Sequence, residues 1–190
     1  MRNMMTTAAT AIALTLTTAG CMTMEGGMND VAYVDGAAMY ASQNIIENAV
    51  NSPIHTTLVA AVQQAQLVDT LSGPGPFTVF APTDDAFSRV PAATRNSLMM
   101  DQNRAMLQSV LTYHVVPGRV TAADLMQRIN AGGGTAMVQT VQGEQLTFHM
   151  RDGKVMVMGM NGSSAYVTQA DVMQSNGVIH VVDGVLTPSM

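Results

Sequence analysis

The sequence predicts an α+β fold: helices first, then an antiparallel meander, with one early strand joining the later ones. Three observations carry this. Apolar residues recur at helical spacing in several stretches from residue 37 to about residue 131. From residue 136 onward they fall in short β-type runs separated by turn signals. Between the helical stretches, Gly75-Pro76-Phe77-Thr78-Val79-Phe80-Ala81-Pro82-Thr83-Asp84-Asp85-Ala86-Phe87 reads as a strand running straight into a capped helix.

In that central stretch Phe77, Thr78, Val79 and Phe80 are aromatic or β-branched and suit a half-buried strand. Pro82 has no N–H for a ladder and ends it. Thr83 is an N-cap, and Asp84 and Asp85 fall in the first turn, where negative charge meets the positive end of the helix dipole. Upstream, a helix is expected from Ala37, with Met39, Tyr40, Ile45, Ile46, Ala49 and Val50 near one face and Pro53 ending it. A second spans about 55–66, striped by Leu58, Val59 and Val62 and capped by Thr56 or Thr57. Downstream, 91–99 makes a short helix. Asp101 caps the next one, with Met106, Leu107, Val110 and Leu111 inward, and this helix runs into Tyr113-His114-Val115-Val116 before Pro117-Gly118. Thr121 caps a further helix with Leu125, Met126 and Ile129 inward, ended by Gly132-Gly133-Gly134. Strands are expected at 136–141, 144–150, 154–158, 164–169 and 178–182. Asp152-Gly153, Asn161-Gly162 and Asn176-Gly177 are the turns.

The chain has 190 residues, a formal charge of −5 and a single lysine, Lys154. With no basic cluster, nucleic acid and polybasic attachment to anionic lipid are not expected. Catalytic signatures are missing too. There is no Gly-x-Ser-x-Gly elbow, and His55, His114, His149 and His180 are scattered without metal-ligand spacing. No enzyme activity, cofactor or metal is assigned. The eighteen methionines read as core filler. The alternative is a thioether site for Cu(I) at Met22, Met24 and Met28, or at Met156, Met158 and Met160. Cys21 adjoins the first trio but falls at the expected lipidation site, and no Cys or His lies beside the second trio in the sequence.

Residues 1–20 have the pattern of an export signal: Arg2, then a moderately apolar stretch too short to span a bilayer. Thr18-Ala19-Gly20-Cys21 resembles the bacterial lipobox, which implies that Cys21 receives a diacylglycerol and becomes the first residue of the mature chain. Thr18 departs from the usual leucine. Residues 21–36, polar and bearing Gly26-Gly27, read as a flexible tether, and 37–190 as the folded domain. Met22 after the cysteine is not an inner-membrane retention residue, so an exported protein anchored at the outer membrane is expected.

Near the C-terminus, Ser175-Asn176-Gly177-Val178-Ile179-His180-Val181-Val182-Asp183-Gly184-Val185-Leu186-Thr187-Pro188 answers the central stretch, and Tyr113-His114-Val115-Val116-Pro117-Gly118 lies between them. In this order and spacing the three resemble the opening, closing and Tyr-His motifs of the fasciclin domain family, over roughly residues 39–188. The resemblance implies a β-wedge or sandwich with helices packed along one side, and a non-enzymatic adhesion module that engages a surface protein or glycan. It implies contact residues at Tyr113 and His114, flanked by Leu111 and Val115, and at Asp171, Val172 and Met173, where Ala170 replaces the family's usual proline. It also implies that the opening and closing motifs pack together, which makes His180 a core histidine bonded to the backbone of the first motif. Some fasciclin relatives bind carotenoids, so a carrier of an apolar small molecule is the alternative.

Overall fold

The structure, a computed structural model, describes residues 31–189. The expected export signal, Cys21 and most of the expected tether lie outside those residues. The tether is shorter at its C-terminal end than expected, because β1 (Val31–Val34) and β2 (Ala37–Tyr40) form an antiparallel hairpin. Asp35 and Gly36 turn it, both with positive φ (48° and 80°). Asp-Gly between apolar residues is a hairpin signal, and the expectation of a helix from Ala37 overlooked it. Helix α1 (Ile45–Val50) begins only where Asn44 and Glu47 form a capping box. It is followed by α2 (Thr56–Gln64) and α3 (Val68–Ser72).

Strand β3 (Phe77–Pro82) leads directly into α4 (Asp84–Ser88), and the Thr83 hydroxyl accepts from the Ala86 N–H at 3.2 Å. Helices α5 (Ala92–Leu98) and α6 (Arg104–Tyr113) follow, separated by a 3-10 turn. Asp101 does not cap α6. Its carboxylate accepts from Gln64 and pairs with Arg104 at 2.8 Å. After β4 (Val115–Pro117), α7 (Ala122–Ala131) opens with a Thr121/Asp124 capping box. The remainder is β5 (Thr135–Gln139), β6 (Gln145–Arg151), β7 (Lys154–Met158), β8 (Ser164–Gln174) and β9 (Gly177–Val182). β8 outruns its expected end at residue 169, passing through an irregularity where Asp171 takes a φ of 57°. Two turns differ in detail. Ser175-Asn176 link β8 to β9, with Gly177 already in the strand, and only Gly162 of the Asn161-Gly162 pair has positive φ.

Seven strands form one sheet in the order β4-β3-β9-β8-β7-β6-β5. All pairings are antiparallel except β3 with β9, which run parallel from Phe77 opposite Gly177 to Pro82 opposite Val182. The opening and closing motifs thus lie side by side. The edge strands approach each other where the Val141 N–H donates to the Val115 carbonyl at 2.7 Å. The result is a wedge close to a closed barrel.

Strand alternation on β3 and β9 divides the interior in two. Val79, Ala81, Ile179 and Val181 face one core, shared with Leu58, Val62, Leu71 and Leu107 of the helices and with Val34 and Met39 of the hairpin. Phe80 and Val182 face the other, inside the wedge, with Leu125 and Ile129 of α7 and Leu146, Phe148 and Val157 of the meander. Phe80 and Phe148 rings lie 5.2 Å apart, a contact worth about 1 kcal/mol beyond its buried area. Two methionines expected inward point out instead: Met106 and Met126 are 43% and 40% exposed.

Candidate binding surface and interior cavities

The Tyr-His segment, expected at a contact surface, is core. Tyr113 ends α6 with no exposure at all, and Leu111, His114 and Val115 are buried with it. The Tyr113 hydroxyl donates to the Gln145 carbonyl at 3.0 Å and accepts from the Met160 N–H at 2.9 Å, pinning α6 to the meander. The ring of His114 bridges backbone at both ends: Nδ1–H donates to the Val110 carbonyl at 2.8 Å and Nε2 accepts from the Leu186 N–H at 3.0 Å. This arrangement requires the neutral ring, and burial pushes its pKa down to about 4. His180 is equally buried, but its partners differ from those expected. Nε2–H donates to the Val120 carbonyl at 2.9 Å and Nδ1 accepts from the Asp171 N–H at 3.3 Å, so neither partner belongs to the first motif.

The second expected contact segment is only partly at the surface. Val172 is fully buried; Asp171 and Met173 are half-buried. Asp171 Oδ1 accepts from the Ala122 N–H at 2.8 Å, at the start of α7. Asp171 and Met173 line a shallow cleft with Val31 and Ala32 of the hairpin. The Tyr113 and Asp171 segments therefore do not form one patch. The hairpin beside the cleft presents Tyr33 and Tyr40, 66% and 45% exposed. They are diagonal neighbours on one face, since Tyr40 pairs with Val31 and Tyr33 with Ala38. The other face of the hairpin buries Val34 and Met39.

Two apolar cavities flank His114. One, of about 410 Å3, lies among α2, α5 and α6, with Phe87, Leu98, Met106 and Leu107 in its walls. The other, of about 250 Å3, is walled by Ile46, Val59, Val62, Leu71 and Val115. Leu111 and His114 line both. Among the described residues, no group of three or more His, Cys, Asp or Glu is placed to share a metal ion.

Comparison with known proteins begins with the family models, among which the fasciclin domain matches residues 53–188. The chain belongs to the fasciclin domain family. This fasciclin domain is 45% identical over 184 residues to protein sll1483 of Synechocystis sp., covering 97% of this chain and 94% of that one. It is 35% identical over 172 residues to the cell surface glycolipoprotein MPB83 of Mycobacterium bovis, covering 80% of this chain and 70% of that one. A FAS1 domain pair from the insect cell adhesion molecule fasciclin I has the same fold, with a TM-score of 0.68 at 20% identity, covering 82% of this chain and 57% of that chain.

The exposed tyrosines precede the part of the fasciclin domain that the family model matches. In the sequence Tyr33 falls in the expected tether and Tyr40 in the expected helix, and neither position implies an exposed pair. The signal that could have found them is Asp35-Gly36 with Tyr33 and Tyr40 on either side.

Proposed function

We propose that this fasciclin domain is a non-enzymatic binding module of the cell envelope that engages a surface protein or glycan through its N-terminal hairpin. The observation that carries the reading is the exposure of Tyr33 and Tyr40 on a hairpin whose other face is locked into the core. Tyrosine offers a rigid apolar face and a polar tip at low entropic cost and is favoured as an interface anchor. Asp171 and Met173 extend the surface across the adjoining cleft. Tyr113, His114, Leu111 and Val115 act by holding the scaffold, as their burial requires. A lipid on Cys21 holds the protein at the membrane. The small residues Ala19 and Gly20 support this, as does similarity to a relative described as a cell surface glycolipoprotein.

A second reading, a carrier of an apolar small molecule, is favoured by the paired cavities about His114. One preparation tests both. The full-length protein is exported and purified from its own host, weighed by native mass spectrometry, and then applied to host cell surfaces. A mass equal to the mature chain with its covalent lipid and nothing further, with surface binding that falls about tenfold or more in Tyr33→Ala/Tyr40→Ala, is the expected result. Undiminished binding by that variant overturns the hairpin as the contact. A reproducible further mass of small-molecule size that is lost when the protein is denatured selects the carrier.

A further inference from the structure

The outer face of the meander gathers side chains that the sequence holds apart. Ala136, Val138, Phe148, Val155, Val157 and Ala165 point into the wedge core, so their neighbours along each strand point outward. The register sets two outward rows. One runs Thr135, His149, Met156, Tyr166 across β5, β6, β7 and β8; the next runs Met137, Thr147, Met158, Ser164. His149 is thus the direct cross-strand partner of Met156, with Met158 two residues along the same strand and on the same face. Met160, the third of the sequence trio, leaves the strand and is 62% exposed. Met156 is only 9% exposed although it belongs to neither core.

We propose that this face is a soft-metal site at which His149 Nε2 and the thioethers of Met156 and Met158 bind one Cu(I) ion. Directly opposed Cβ atoms on neighbouring strands lie about 5 Å apart, and residues i and i+2 on one strand about 7 Å apart. Methionine, unbranched with three rotatable bonds, can bring its sulfur across such gaps. The Thr135 hydroxyl lies 3.2 Å from His149 Nδ1. With that hydroxyl accepting, Nδ1 carries the proton and Nε2 the lone pair, the usual way in which a ligating imidazole is oriented. The donor set selects the ion. Two thioethers and a neutral imidazole are soft and uncharged, which suits Cu(I). The next row on this face is Arg151 opposite Lys154, and its positive charge opposes a dication twice as strongly as a monovalent ion.

The test uses the full chain and Ag(I), a redox-stable substitute for Cu(I), with Cu(I) itself under a reductant and a competing chelator as confirmation. One equivalent of Ag(I) should bind saturably and shift the ε-methyl NMR signals of Met156 and Met158 and the ring signals of His149. Met156→Leu/Met158→Leu keeps the apolar volume and should abolish that step. His149→Gln should weaken it about tenfold or more, and Met106→Leu/Met126→Leu should leave it unchanged. Unchanged affinity in Met156→Leu/Met158→Leu would place the ion on other methionines, such as Met22, Met24 and Met28, and overturn the site. So would the absence of a saturable first equivalent, or Ag(I) shifts in the unmodified protein confined to other methionines.

Discussion

At the scale of single residues, His114 links burial to pH. In the folded chain its ring is neutral, because Nε2 must accept from Leu186 while Nδ1–H serves Val110. Its pKa is about 4, against 6.5 for an ordinary histidine. Between those values the unfolded chain binds a proton that the folded chain does not, so stability is full above the unfolded pKa and declines as pH falls from 6.5 towards 4. The cost approaches roughly 3 kcal/mol at the acid end. Burial lowers His55 and His180 in the same sense. Urea midpoints followed by circular dichroism should therefore fall steeply over this range, and His114→Asn should flatten the slope. An unchanged slope in that variant would mean that the ring titrates freely. The residue types at this position were conspicuous in the sequence, but their direction was not. Tyr113 and His114 sit where a helix hands over to a strand, so neither periodicity applies, and the hydrogen bonds that bury them come from residues 110, 145, 160 and 186.

At the scale of elements, Asp84 serves a helix other than its own. Its carboxylate accepts from the Thr57 N–H at 2.7 Å, the Thr56 N–H at 3.2 Å and the Thr56 hydroxyl at 2.7 Å, at the start of α2. His55, at the N-cap position of α2, makes no side-chain cap. Burial alone would raise the Asp84 pKa, but these hydrogen bonds outweigh it and hold the group below its ordinary value. Asp84→Ala should therefore destabilise the protein by about 1–2 kcal/mol, as loss of an N-cap does, and Asp85→Ala by clearly less. Equal losses in the two urea titrations would return Asp84 to a dipole role at α4. The sequence located α4 and the carboxylate correctly, and only the packing of α2 on α4 shows which donors it meets. Strand β7 was legible to the residue, because an apolar β-type run follows the Asp152-Gly153 turn directly. β8 was cut short because the irregularity at Asp171 breaks the alternation.

At the scale of the whole molecule, the order of the three motifs implied the fold and the packing of its two ends, whereas the parallel pairing of β3 with β9 required the structure. No helix among the described residues is long and apolar enough to cross a membrane, and the attachment proposed above is acylation of Cys21. Cys21→Ala should move the protein from the membrane fraction to the soluble fraction, as read by immunoblot. A variant that still sediments with membranes would rule the lipid out. The place of β9 also bears on the timing of synthesis. This strand sits between β3 and β8, yet its residues, Gly177–Val182, are the last of the seven strands to leave the ribosome. A growing chain can therefore form its helices and the β5–β8 meander, but the place between β3 and β8 stays empty until β9 arrives. Until then both flanking strands expose unpaired edges, which favours misassembly. Under the export proposed above, a chain that still lacks β9 has not closed its sheet, which makes it easier to unravel and thread through a translocation pore.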